Sequence, residues 1–377
     1  MPAFPPSAPT AEDGLAVFTG AGDLTARLRQ DVQSELTRFL ARQRAVLAEV
    51  SPETGPMLDA VESLLSGGKR LRPAFCFWGF LGAGGLPGPE ITTAAAALEL
   101  FQAAALLHDD VMDDSDTRRG LPAAHRRFAA LHAELRWSGS AERFGLAGAI
   151  LAGDLCLSWS DEMFVASGFD EPALARGRAV FSTMRTQLMG GQYLDMLEQA
   201  SSALRGREGA VERARRVVRF KSAKYSVEHP LLLGAALAGA PAALQETYTR
   251  FGLALGEAFQ LRDDVLGVFG DPGQTGKPAG DDLREGKRTV LVALALAAAD
   301  PAQVELVESR LGDPQLDAEG VVALQTVLTD TGAVAGVERL IDDLVEEACT
   351  ALEKSSLDET ARTALNTLVV AATARLS

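Results

Sequence analysis

Thiol groups are scarce in this chain of 377 residues: Cys76, Cys156 and Cys349 are the only cysteines, far apart and without CxxC spacing. That argues against a disulfide framework and a zinc-thiolate site, and a reducing cytoplasm fits best. Positive charge is also in deficit. A net charge of −15 excludes a general affinity for nucleic acid or anionic membrane, although a local basic patch could still hold an anion. Long apolar runs are missing too. The longest, "PLLLGAALAGAPAAL", is broken by Gly239 and Pro241 and is too short to span a bilayer, so it reads as a buried helix and no integral membrane association is expected. The opening "MPAFPPSAPTAEDG" has neither the basic start nor the apolar core of a signal peptide. Residues 1–22 are expected to be a disordered lead-in, with no export.

Alternating strand patterns and low-complexity linkers are nearly absent as well. From Asp23 onward apolar residues recur at helical spacing with Gly and Pro between segments, which predicts an all-α fold with one domain over residues 23–377. Helices are expected over 23–50, 87–114, 141–166, 171–204, 211–227 and 241–270, with several more to the end.

The chemistry sits in two acid clusters. "LFQAAALLHDDVMDDSDTRRG" (100–120) ends an alanine-rich run in aspartates, and "FQLRDDVLG" (259–267) repeats the arrangement. At about 100° per residue, Asp109 and Asp113 stack on one helix face while Asp110 points away. Carboxylates at a helix C-terminus oppose its macrodipole unless something positive arrives, and paired hard oxygen ligands suit Mg²⁺. In the second cluster the fourth residue after Asp263 is Gly267, so Asp263 has no carboxylate partner there. A one-sided site with a raised Mg²⁺ demand is expected.

Basic groups accompany both clusters. "GGKRLRP" carries Lys69, Arg70 and Arg72, "DTRRG" carries Arg118 and Arg119, and "GDPGQTGKPAGDDLREGKRT" carries Lys277 and Lys287. The last is not a Walker loop, since Pro278 follows the lysine where Ser or Thr would bind Mg²⁺. Nor does Asp109 to Gly120 follow EF-hand spacing. Metal sites, separate basic sites and an apolar helical bundle together imply a ligand with a densely anionic head and a greasy remainder, as in a lipid diphosphate.

Five ordered motifs, "GGKRLRP", "LLHDDVMDDSDTRRG", "GQYLD", "FKSAKYS" and "FQLRDDVLGVFGDPGQTGKPAGDDLREGKRT", resemble those of the trans-isoprenyl diphosphate synthases, or polyprenyl synthetases, from about Leu58 onward. The resemblance implies a homodimer of helical bundles, each around a deep apolar cavity. It also implies condensation of isopentenyl diphosphate with an allylic diphosphate (dimethylallyl, geranyl or farnesyl), with three Mg²⁺ ions when substrate is bound. Carried onto matching positions, it implies Mg²⁺ ligation by Asp109, Asp113 and Asp263, supported by Asp110 and Asp264. Lys69, Arg72, Arg119 and Gln102 would grip isopentenyl diphosphate. Arg118, Lys221, Lys277 and Lys287 would grip the allylic diphosphate, with Ser222 and Gln260 close by and Gln187 and Gln192 as further candidates. No histidine is needed, and His108 reads as packing or as a support behind the groups that touch the ligand.

A class I terpene cyclase would share the bundle and the first acid cluster but has no use for a second diphosphate grip. A non-catalytic partner subunit would be expected to lose Asp109, Asp113 or Arg119, which are all present. Product length is read from the flank bearing Ala97, Phe101, Ala104 and Ala105. Members of the family that stop at fifteen carbons often carry an aromatic four or five residues before the first Asp. Here both positions are alanine and the next bulky residue is Phe101, roughly one turn or about 5 Å deeper. Geranylgeranyl diphosphate, twenty carbons, is the expected product, with a longer chain as the alternative.

Overall fold

A computed structural model of the protein describes residues 20–271 and 280–373. The fold is all-α: α1 (Ala21–Val50), α2 (Gly55–Leu65), α3 (Leu71–Leu81), α4 (Pro89–Met112), α5 (Ala124–Glu134), α6 (Ala141–Val165), α7 (Glu171–Arg205), α8 (Ala210–Val217), a π-helical stretch Val218–Glu228, α9 (His229–Ala238), α10 (Ala242–Phe269), α11 (Asp281–Arg284), α12 (Val290–Ala298), α13 (Pro301–Arg310), α14 (Ala318–Asp330), α15 (Ala333–Glu353) and α16 (Glu359–Thr373). Among the described residues the sole sheet is a hairpin pairing Thr117–Arg118 with Leu121–Pro122. Of the expected lead-in, residues 1–19 lie outside the described residues. Its boundary moves, because Ala21 and Gly22 already belong to α1.

Amphipathic spacing builds the outer helices. On α1 the buried side chains Leu28, Val32, Leu36, Phe39 and Leu40 recur every three or four residues, one stripe facing the core. The central helix α4 is instead buried nearly all round, from Ile91 to Leu107. Its alanines permit close packing, and its most extensive partner is α6, which meets it with Ala149, Ala152 and Gly153, all buried; small side chains shorten the interaxial distance. By length and composition α4 could cross a membrane, but 72% of that window is buried inside the fold, as befits a core helix.

The expected helix over 211–227 is the one whose character changes. After Val217 it runs as a π-helix to Glu228, and α7 approaches it so closely that a Cβ on Gly191 would lie 2.4 Å from Lys221 N. Only glycine tolerates that contact, so "GGQYLD" and "FKSAKYS" are held backbone to backbone. A widened turn of this kind often marks a functional segment, and here it carries Lys221. The run 230–244 divides as its Gly and Pro suggest: α9 ends with Gly239 at φ +73°, and α10 starts after Pro241.

Candidate active site

The first acid cluster closes α4. Asp113 caps the helix and its N–H donates to Asp109 O at 2.8 Å, so the two carboxylates leave from successive turns. Asp110 points elsewhere: it is 1% exposed and accepts from Arg118 Nε at 2.8 Å and from Nη2. Arg118 is thereby fixed with Nη2 3.5 Å from Asp109 Oδ2.

Lysines from distant segments fill the space between the acids. Lys221 Nζ donates to Asp195 at 2.6 Å and lies 3.1 Å from Asp109 Oδ1, which also accepts from Gln192 at 2.9 Å. Burial alone would raise the Asp109 carboxyl, but Lys221, Lys287 and Arg118 outweigh it and hold the group below the usual range. Lys287 stands 3.4 Å from Asp113 and 3.1 Å from Asp282. Ser115 Oγ donates to Glu285 at 2.9 Å, tying the loop after α4 to α11. On α10, Gln260 Nε2 donates to Asp264 at 2.7 Å, while Asp263 is half-buried one turn before Gly267.

A second basic group lies around the start of α3. Arg72 donates to Ser226 Oγ at 2.7 Å and lies over the Tyr225 ring, 4.3 Å from its centre. Lys69 reaches Ala371 O at 3.3 Å, and Arg119 donates to Leu64 O at 2.7 Å. Arg70 is buried between Glu99, Gln33 and Leu65 O. The Arg119 pKa is lowered by burial and by Arg70, Arg118 and Arg72, against the pull of Glu99; an anion placed here would relieve that repulsion. Arg70, Asp114 and Arg119 all have φ of 52–54°. A left-handed backbone costs a non-glycine residue on the order of 1–2 kcal/mol; Arg70 and Arg119 belong to this basic group, whereas Asp114 pairs with Arg126.

Several expectations meet a different environment. Lys277 lies outside the described residues. Ala97 and Ala104 are fully buried at 0% exposure and Phe101 at 1%, whereas Ala105, like Gln102 above it, keeps partial exposure. The flank is therefore sealed at its Ala104 edge and open at Ala105. Phe101 is packed edge-on to Phe181 and Tyr225, with ring centres 6.0 and 6.2 Å away. Ser222 is buried beside Lys221, and Gln187 is half-buried a turn before the "GQYLD" residues. His108 Nε2 is 3.2 Å from Ile150 O, packed against α6. Asp195, Tyr225, Asp282 and Glu285 lie inside the five motifs, but nothing local in the sequence distinguishes them from surface residues.

The donors suit a hard cation. Asp113 Oδ2 is buried and accepts no hydrogen bond from the described residues. Burial first, then repulsion from Asp109, raises this carboxyl to about 6. Asp264 is raised to about 7 by burial and by Asp282. In both carboxyls burial and acidic neighbours outweigh the opposing pull of Lys287. Among the described residues no three acidic or thiol/imidazole groups converge on one point, so an ion here would complete its shell with water and ligand oxygens, as hard divalent cations do.

A pH dependence follows. Asp113 and Asp264 bind a proton more tightly folded than unfolded, so their contribution is stabilising below the ordinary value of 3.8 and is lost as pH rises through about 6 to 7. The melting temperature of metal-free protein should carry that downward component, and Asp264→Asn should flatten it. An unchanged slope in the folded variant would show that Asp264 is not a strained acid.

Comparison with known proteins gives matches over most of the chain. The family model for polyprenyl synthetase matches residues 56–327. A crystal structure of geranylgeranyl pyrophosphate synthase from Corynebacterium glutamicum, complexed with isoprenyl diphosphate and magnesium, is 39% identical with a TM-score of 0.88 and covers 93% of this chain and 99% of that one. A short chain isoprenyl diphosphate synthase of Methanothermobacter thermautotrophicus is 32% identical over 74% of this chain and 79% of its own length. A geranylfarnesyl diphosphate synthase of Aeropyrum pernix is 31% identical over 81% and 89%. With two lysines set among its paired aspartates, a second basic group beside them and a model match over most of its length, this chain belongs to the polyprenyl synthetase family.

Proposed function

We propose that this prenyltransferase condenses isopentenyl diphosphate with an allylic diphosphate (dimethylallyl, geranyl or farnesyl) to make geranylgeranyl diphosphate. The observation that carries the reading is the presence of two separate cationic groups, Lys221 with Lys287 beside the Asp109–Asp113 pair and Lys69 with Arg72 and Arg119 around the start of α3. Two diphosphates can then be held at once, which a cyclase acting on one would not need.

In this reading Asp109, Asp113 and Asp263 hold Mg²⁺, three ions in all with substrate, and the metal supplies neutralisation of the departing diphosphate. Lys221, Lys287 and Arg118 aim positive charge at the same leaving group in a site they already occupy, so little reorganisation is required. Gln260, fixed by Asp264, faces the nascent allylic cation with a neutral dipole. The nucleophile is the double bond of isopentenyl diphosphate, positioned by Arg72, Lys69, Arg119 and Gln102. The final proton passes to the released diphosphate, since His108 is engaged with Ile150 O.

Ala105, being half-exposed, opens the passage for the growing tail, and the ring cluster at Phe101 forms its floor. A homodimer is the proposed assembly, supported by the exposed apolar side chains Phe144, Ile150 and Leu151 on α6. A cytoplasmic location is consistent with three free thiols.

Purified protein should elongate each of the three primers with isopentenyl diphosphate and Mg²⁺ to a single twenty-carbon product. A cyclic hydrocarbon, or no condensation with any primer, would refute the assignment. The two grips should also separate kinetically. Arg119→Ala is expected to raise KM for isopentenyl diphosphate by about tenfold, and Lys221→Ala that for the allylic primer, charge-assisted contacts being the strong ones. Equal shifts for both substrates in both variants would mean that the grips are not distinct.

A further inference from the structure

Gly267 and Asp282 lie in the same place. A Cβ built on Gly267 would meet Asp282 Oδ2 at 1.8 Å and Cγ at 2.6 Å, so the carboxylate of Asp282 occupies the space into which a side chain at position 267 would project. That space lies one turn beyond Asp263 on α10, the position at which an i, i+4 carboxylate partner would stand. The site is therefore not one-sided, as the sequence suggested; an acid arrives from α11 instead of from α10.

We propose that Asp282 replaces the missing acid of the second cluster, completing with Asp263 the carboxylate pair that holds metal on α10. This rests on the prenyltransferase reading above. Three observations support it. Asp282 is largely buried, its side chain 15% exposed. Its other oxygen accepts from Lys287 at 3.1 Å, and Lys287 in turn reaches Asp113, so the first and second clusters are joined through this residue. Glycine at 267 leaves this space to Asp282, since a side chain there would displace its carboxylate.

The arrangement has a consequence that an acid carried on α10 would not have. A metal held through Asp282 is held only while α11 sits against α10, so metal binding and the placement of Lys287 become one event.

The test is Mn²⁺ binding, read by electron paramagnetic resonance without turnover, to protein saturated with an unreactive thiolo analogue of geranyl diphosphate. Asp282→Asn should weaken Mn²⁺ binding by about tenfold, and Asp282→Ala combined with Gly267→Asp, in which the smaller residue at 282 leaves the space free, should restore most of the loss by returning a carboxylate to it. Unchanged Mn²⁺ affinity in folded Asp282→Asn, with only the analogue bound more weakly, would overturn the proposal and leave Asp282 as a support for Lys287. Loss without rescue would overturn the shared placement. If wild-type protein bound neither the analogue nor Mn²⁺, the prenyltransferase reading itself would fail, an outcome distinct from both.

Discussion

Asp109→Ala should lower turnover by about a thousandfold, equivalent to roughly 4 kcal/mol of transition-state stabilisation, while leaving a folded protein. The size of the effect follows from the convergence on one carboxylate, which meets Lys221 at 3.1 Å, Gln192 at 2.9 Å and Arg118 at 3.5 Å. The modest cost in stability follows from what those partners retain. Lys221 keeps Asp195 and Arg118 keeps Asp110, so no buried cation is stranded. The expected penalty is about 1–3 kcal/mol for the lost hydrogen bonds, partly offset because Asp113 loses a repelling neighbour. Steady-state turnover at saturating Mg²⁺, with thermal melting as the control, decides it. Near wild-type turnover in a folded variant would remove Asp109 from the metal site.

Phe101→Ala should lengthen the product beyond twenty carbons and destabilise the fold by about 3–5 kcal/mol, the usual cost of deleting a buried phenyl ring. The ring is 1% exposed and packs edge-on between Phe181 and Tyr225. Its removal opens a cavity deep in the bundle, about one helical turn below Ala105. The disturbance should also reach the isopentenyl diphosphate grip, because Tyr225 lies under Arg72, so KM for that substrate is expected to rise. The converse change belongs at Ala105, which keeps partial exposure, and not at Ala104, which has none: Ala105→Tyr should shift the product toward fifteen carbons. Chromatographic sizing of products from both variants is the measurement. If both remain active and neither changes product length, this flank does not set it.

Sequence alone determined whatever depends on neighbours within a few residues. Helical periodicity marked the long elements to within a residue or two, because the buried stripe of a helix such as α1 is a local pattern. The stacking of Asp109 on Asp113, the separate direction of Asp110 and the break at Gly239 and Pro241 all follow from helix geometry or backbone restriction. Only the tertiary structure decided relations across the chain. Asp195 reaches Lys221 across 26 residues, Ser115 reaches Glu285 across 170, and Asp282 enters the gap at Gly267 from another helix. The π-helical turn under Lys221 comes with the close approach of Gly191, and Ala104 is sealed while Ala105 is open because α4 packs against neighbours on one flank and not the other. A periodic pattern states which face of a helix is apolar; which helix covers that face, and which carboxylate from elsewhere lands beside it, are set by the packing of whole elements.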